Sequence, residues 1–90
     1  MLKPEYTNKF QKDLALCKKR GRKTDKLKAL IEKLIHEEVP LPAQNRDHNL
    51  TGNMAGCREC HIEPDWLLVY YYTEGVIVFA RTGTHSDLFR

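Results

Sequence analysis

The chain has 90 residues, of which 41% are hydrophobic and 30% are charged. This length gives room for one compact core, so residues 1–90 are predicted to form a single domain, and the composition excludes disordered and fibrous classes. The net charge of +3 is unevenly distributed, since residues 1–33 carry eleven Lys or Arg and four Asp or Glu. That basic third is typical of a protein that binds RNA or an acidic protein partner, or of a solvated helix face.

The first third of the chain predicts a short strand and two helices. The strand is predicted from Leu2 to Tyr6, and the first helix begins at an N-cap, Asn8, and ends at Gly21. Thr24 caps a second helix. The apolar side chains of the second helix have the spacing of a helix that packs on a core, and they are Leu27, Leu30, Ile31, Leu34 and Ile35.

The rest of the chain predicts a long loop and then a sheet. The segment from Val39 to Gly56 is rich in Pro, Asn, Asp and Gly, which indicates an extended functional loop. Beyond it the hydrophobic period becomes two, and strands are predicted from Arg58 to Ile62, from Trp66 to Tyr72 and from Val76 to Thr82. Turn sequences between them indicate an antiparallel meander. The order of elements predicts an α+β fold, with two N-terminal helices packed on one face of an antiparallel sheet.

The sequence also bears on the compartment. No apolar run approaches the roughly 18 residues of a membrane span, and the N-terminal segment lacks the hydrophobic stretch of a signal peptide. The three cysteines are an odd number and too few for a disulfide-stapled secreted domain. We therefore expect a cytoplasmic protein with reduced thiols and no membrane partner.

Three histidines near strand ends are candidates for proton transfer. His48 lies in the long loop, His61 at the end of a predicted strand, and His85 just after the last strand. Imidazole is the side chain best suited to proton transfer near neutral pH, although three unrelated surface histidines would give the same spacing. Asp65 lies across a short turn from His61 and can approach it, and Arg81 offers a forked cation that suits a phosphate.

The segment 57–61 matches the C-x-x-C-H pattern of covalent haem attachment. We reject a haem site because such attachment goes with export, and because residues i and i+3 of a strand point to opposite faces, which separates Cys57 from Cys60. The same geometry disfavours a zinc or redox site, so no metal or cofactor is expected. Alternation also places Glu59 and His61 on one face and Cys60 on the other, which directs His61 away from the core.

The aromatic residues allow two interpretations. Trp66 and the run of three tyrosines at 70–72 can stack on bases, which contributes about 1–3 kcal/mol per base in single-strand binding. Such residues more often fill the core of a sheet. We assign the tyrosines mainly to packing and keep Trp66, which is next to Asp65, as a candidate site residue.

Three sequence blocks carry a resemblance to a known family. They are DHNL at 47–50 followed by Gly52, RECHIEPDW at 58–66, and RTGTHSDLF at 81–89. In this order and spacing the chain resembles the YafQ branch of the RelE/ParE superfamily of bacterial type II toxins, nearly from end to end.

The resemblance implies a RelE-like fold and the activity of an mRNA interferase. Such a toxin is a ribosome-dependent endoribonuclease that cuts mRNA in the ribosomal A site, is inhibited by a cognate antitoxin, and contacts operator DNA only through the antitoxin complex. By motif, the catalytic residues would be His48, His61, Asp65 and His85. The substrate-binding residues would be Arg81, Trp66 and Phe89.

The chemistry expected of this set is metal-independent cleavage through the 2′-hydroxyl of RNA, with His48 and His85 as the principal proton-transfer pair. Two other classes remain open. Some superfamily members act on DNA gyrase and lack these histidines, and a non-catalytic RNA-binding module would bind RNA without cutting it.

Overall fold

The computed structural model describes residues 1–89. Its helices are α1 (Asn8–Lys19), α2 (Asp25–Ile35) and the short α3 (His85–Leu88). Its strands are β1 (Lys3–Tyr6), β2 (His48–Asn49), β3 (Arg58–Glu63), β4 (Trp66–Thr73) and β5 (Val76–Gly83). Within residues 1–89 there is no helix of the length and apolar character that crossing a membrane requires.

The five strands form one sheet in the order β1-β5-β4-β3-β2. The predicted antiparallel meander is confirmed, since β3 pairs with β4 and β4 with β5 in antiparallel register. β1 instead pairs in parallel with β5, so the sheet is mixed rather than wholly antiparallel. A parallel pair needs a long crossover connection, and here nearly the whole chain lies between the two strands.

Both predicted N-terminal helices form, with small differences at their ends. The N-cap of α1 is Thr7 rather than Asn8, because the Thr7 side chain accepts the hydrogen bond from the Phe10 amide. The helix ends before Gly21, which takes the positive φ of 83° that favours glycine after a helix. Thr24 is the N-cap of α2, although its side chain makes no capping bond.

The core lies between the helices and one face of the sheet, as predicted. α1 contributes Phe10 and Cys17. α2 contributes all five of its predicted apolar positions. The sheet contributes alternate residues of three strands, namely Cys60, Ile62, Trp66, Leu68, Tyr70, Ile77 and Phe79.

The segment 39–56 has more structure than the predicted extended loop. It contains β2 and two short 3₁₀ turns, Ala43–Asn45 and Gly52–Met54. β2 pairs with β3, so that the Cα atom of His48 lies opposite that of Glu59. Two-residue pairing leaves little periodic signal in a sequence, and the surrounding Pro, Asn and Gly residues conceal it.

Candidate active site

The sheet face opposite the two helices carries three of the seven predicted site residues. Residues directly opposite one another on paired strands share a face, and one row across the sheet reads His48, Glu59, Val69 and Arg81. The next row begins with His61 and ends at Gly83. β5 is followed at once by α3, whose first residue is His85. The register of the strands therefore puts His48, His61 and Arg81 on one face of the sheet, and α3 adds His85 beside His61.

His85 and Asp65 form a close pair at the end of the sheet. The Oδ1 atom of Asp65 lies 2.6 Å from Nδ1 of His85 and also accepts the backbone N–H of His85 at 2.9 Å. These bonds lower the pKa of Asp65, the backbone bond contributing most. An ionised Asp65 has no proton to give, so Nδ1 of His85 is the donor and Nε2 is the nitrogen left for proton transfer.

Sequence reasoning placed Asp65 near His61, whereas the structure pairs it with His85. The ring of His61 lies beside that of His85, with centroids 5.6 Å apart in an edge-on arrangement. Its ionic partner is Glu59, whose Oε1 lies 3.4 Å from Nε2 of His61. The side chain of His61 is 11% exposed, so it faces out of the core as predicted but is largely covered.

Glu59 was not predicted as a site residue. It is only 5% exposed, and a carboxylate buried to this extent requires a specific partner. The available signal was its position two residues before His61 in a strand, which puts both side chains on the same face. A charged residue in a strand, on the same face as a candidate histidine, should be included among the candidate site residues.

The orientation of His48 is set by a contact within its own loop and by the anchoring of its two neighbours in the sequence. Its Nδ1 atom lies 2.6 Å from the carbonyl oxygen of Arg46, which can only accept, so Nδ1 donates and Nε2 is left free. Arg58 binds both flanking residues, with Nη2 at 3.1 Å from Asp47 and Nη1 at 2.7 Å from Asn49. Alternation along β2 therefore directs His48 to the face that Glu59 occupies.

Arg81 lies in the same row but is already paired. Its Nε and Nη2 atoms donate to the two carboxylate oxygens of Asp13, at 2.7 and 3.1 Å. The Arg81 side chain is 27% exposed, and the fork with Asp13 does not use Nη1. If Arg81 binds a phosphate as predicted, it does so while Asp13 holds Nε and Nη2 of the same guanidinium.

Trp66 does not occupy the position that a base-stacking residue requires. The residue is 1% exposed and belongs to the core, and its indole N–H donates to Thr82 at 3.0 Å. The Arg22 guanidinium lies 5.1 Å from the ring centroid, so a cation occupies the space in front of the ring. The proposed contact between Trp66 and substrate is therefore corrected to a packing role, because alternation in β4 directs it to the helix side of the sheet.

Phe89 has the exposure that Trp66 lacks. It is 41% exposed and lines an open cleft of about 410 Å³ together with His85 and Glu59. The remaining walls of the cleft come from the second half of the long loop, through Leu50, Thr51, Asn53 and Met54. The site therefore has an apolar cleft next to its titratable groups, which is the usual composition of a binding site.

Asp87 fixes the short helix that carries His85. Its side chain and that of Thr84 cap each other's backbone N–H groups, and Arg20, the C-cap residue of α1, donates to Asp87 at 2.8 Å. Gly83 lies directly under this carboxylate, since a Cβ atom there would be 3.0 Å from Oδ2 of Asp87. The ion pair with Arg20 and the cap lower the pKa of Asp87 to about 2.

This low pKa predicts that the stability contributed by Asp87 is lost in acid. The variant Asp87→Asn should lack both the contribution and its pH dependence. A depressed folded-state pKa contributes stability that is complete above the usual Asp value of about 4 and is lost as the pH falls towards 2. We expect Asp87→Asn to lower the free energy of unfolding by about 0.5–1 kcal/mol at pH 7, since the Arg20 partner is exposed. Urea unfolding at pH 7, 4 and 2.5 measures this, and a constant difference across the three values would contradict it.

One group of side chains has the composition of a metal site. Glu59, His61 and His85 each offer a ligand atom, and these three atoms lie within 4.8 Å of one another. Imidazole and carboxylate ligands suit zinc and copper. His85 is also a candidate for proton transfer, so a bound cation would occupy an imidazole nitrogen that such a transfer needs.

The basic N-terminal third divides into two sets of side chains. Arg20 binds Asp87 of α3, and both Arg22 and Lys26 bind Glu63 of β3 at 3.3 Å, so these cations tie the end of α1 and the start of α2 to α3 and the sheet. Within residues 1–89, Lys18 and Lys19 make no ion pair and are exposed. The surface available to a polyanion or an acidic partner is therefore made of lysines rather than of the arginines.

Known proteins are similar to this chain in sequence and in fold. A model of the family described as the bacterial toxin of type II toxin-antitoxin system, YafQ, matches residues 2–90. The mRNA interferase toxin YafQ of Escherichia coli K12 is 46% identical over 85 residues, which are 94% of this chain and 92% of that protein.

Two solved structures extend the comparison. The toxin in the E. coli DinJ-YafQ complex superposes with a TM-score of 0.93 at 43% identity and with full coverage of both chains. A metal-bound toxin from Helicobacter pylori superposes with a TM-score of 0.90 at 38% identity, covering 99% of this chain and all of that one. The chain belongs to the YafQ family of type II toxin-antitoxin system toxins.

Proposed function

We propose that this protein is the toxin of a toxin-antitoxin pair and an endoribonuclease that cleaves mRNA in the A site of the ribosome. The observation that carries the proposal is the exposed Asp65–His85 pair beside Glu59 and His61, on the sheet face opposite the two helices. The E. coli relative is an mRNA interferase, and the solved DinJ-YafQ complex pairs a relative with its antitoxin. The protein would act in the cytoplasm, and a cognate antitoxin would inhibit it and provide any contact with operator DNA.

The reaction that suits these side chains uses the 2′-hydroxyl of the RNA as the nucleophile. The O–H bond of the 2′-hydroxyl breaks as its oxygen attacks the phosphorus atom, and the P–O5′ bond breaks as the leaving oxygen takes a proton. The protein must accept the first proton, supply the second and stabilise the charge that develops on the phosphate. Two imidazoles and one guanidinium on the same face meet these three needs.

We assign the two proton transfers to His48 and His85, because each has its Nδ1 engaged and its Nε2 free. Asp65 holds the His85 ring and stabilises the imidazolium that forms when His85 takes up a proton. Arg81 stabilises the phosphate, and Phe89 provides the surface on which a base stacks. Glu59 pairs with His61, and the His61 ring packs against that of His85.

The proposed reaction needs no metal, and chelation tests that part of it. If proton transfer by imidazole carries the reaction, cleavage persists after dialysis against EDTA. Added zinc or copper would lower the rate, because Glu59, His61 and His85 would then be occupied by the cation. Loss of activity in EDTA that added metal restores would contradict the metal-free mechanism.

The function is tested by primer extension on a defined mRNA incubated with the purified protein, with and without translating ribosomes. Codon-phased cleavage only in the presence of ribosomes is the expected result. Cleavage of naked RNA would keep the nuclease and remove the ribosome requirement. No cleavage in either arm would contradict the proposal, and a parallel DNA gyrase supercoiling assay and an RNA-binding assay would then separate the two alternatives.

A further inference from the structure

One stripe of α1 faces β5 and carries a single acidic residue. Phe10, Asp13 and Cys17 are spaced by three and four residues, which places them on the same side of the helix. Phe10 and Cys17 are 2% and 1% exposed and belong to the core. The Asp13 side chain between them is 15% exposed, so its carboxylate sits where an apolar residue would be expected.

Asp13 binds β5 where that strand loses its neighbour. β1 pairs with β5 only as far as Phe79, so the later residues of β5 have a free edge on this side. There the Oδ2 atom of Asp13 accepts the backbone N–H of Thr82 at 3.1 Å as well as Nε of Arg81 at 2.7 Å. The carboxylate therefore both closes a strand edge and fixes the orientation of one side chain.

The orientation of Arg81 matters because a free arginine is flexible. The side chain has many rotamers, and part of this freedom must be lost before it can hold a phosphate. The fork with Asp13 already fixes the guanidinium plane through two of its donors. Arg81 shares a row with Glu59, separated by one strand, which places the two Cα atoms about 10 Å apart.

We infer that Asp13 is a positioning residue for RNA cleavage, and that it acts by holding the Arg81 guanidinium so that Nη1 faces the scissile phosphate. Asp13 does not contact the RNA itself. The inference rests on the proposed function, in which Arg81 stabilises the charge on that phosphate. In this inference α1 orients a substrate-binding side chain through Asp13, in addition to packing on the core through Phe10 and Cys17.

The test is the rate of ribosome-dependent mRNA cleavage by Asp13→Asn, with kcat and KM determined separately. Asparagine keeps the shape and the acceptor for Thr82, but it removes the charge and one arm of the fork. We expect kcat to fall about ten- to a hundredfold with little change in KM, because a misplaced group costs up to about 10²-fold. Asp13→Glu, which keeps the carboxylate, should recover part of this loss, and Asp25→Asn serves as the matched control with wild-type activity.

A double-mutant cycle with Arg81→Ala shows whether Asp13 acts through Arg81. In the Arg81→Ala background, Asp13→Asn should cause no further loss of kcat. Equal loss in both backgrounds, or full activity of Asp13→Asn, would overturn the inference. Antitoxin binding and thermal unfolding of each variant report on folding, so a loss of kcat in a folded variant is a loss of function.

The same cycle separates this inference from the proposed function. If Arg81→Ala cleaves as fast as the wild type, the assigned role of Arg81 is wrong and the inference fails with it. If Arg81→Ala is impaired while Asp13→Asn is not, the role of Arg81 stands and only the positioning by Asp13 is overturned.

Discussion

Replacement of His85 by alanine is expected to lower the rate of mRNA cleavage by about 10²- to 10⁴-fold, the contribution of one general acid or base. The His85 ring is held in a fixed orientation, because one Asp65 oxygen accepts both the backbone N–H and the ring N–H of His85. The loss should appear in kcat rather than in KM, since proton transfer belongs to the transition state. Single-turnover primer extension on translating ribosomes measures it.

The matched control is His36→Ala. His36 is the C-cap of α2, and within residues 1–89 its ion pair is with Glu32 of that helix, so its removal should leave cleavage unchanged. Asp65→Asn should have a smaller effect than His85→Ala, because the ring remains and only its orientation is weakened. Full activity of His85→Ala would show that the proton transfers run through other groups.

Replacement of Trp66 by alanine is expected to lower the free energy of unfolding by about 3–5 kcal/mol, as for other large aromatic core residues. A small domain has only about 5–15 kcal/mol of stability, so this loss removes a large part of it. Two causes add up, because the variant leaves a cavity in the core and deprives Thr82 of the indole N–H donor. Urea unfolding followed by circular dichroism measures the loss.

Phe89→Ala provides the opposite case. Phe89 is exposed in the cleft, so its removal should change stability by no more than about 0.5 kcal/mol while it weakens RNA binding. If Trp66→Ala proves as stable as the wild type and instead raises KM, then Trp66 contacts the substrate and its packing role is wrong.

Periodicity predicted the helices and the meander because each of these elements buries one face. α2 shows a five-residue apolar stripe, and β3, β4 and β5 alternate between the core and the opposite face. β1 was predicted as a strand without its partner. Four residues with little apolar periodicity contain no information about pairing with a strand some seventy positions away.

The site residues were predicted less completely because their partners come from the fold. Asp65 lies four residues from His61 in the sequence, yet the chain turns at Pro64 and directs the carboxylate to α3, where it meets His85. Glu59 looks like an ordinary solvated acid until β2 and the loop after it cover that part of β3. Sequence identifies residues suited to a reaction, whereas register decides which of them meet.

The position of β5 has a consequence for when this protein can act. β5 is the last strand to be synthesised, but it lies between β1 and β4 and carries Arg81, with His85 just beyond its end. Until the segment from Val76 onwards is free to fold, β1 has no neighbour and Asp13 has no arginine to bind. In the proposed function, a growing chain therefore carries His48 and His61 without Arg81 and His85, and it cannot cleave the mRNA from which it is being translated.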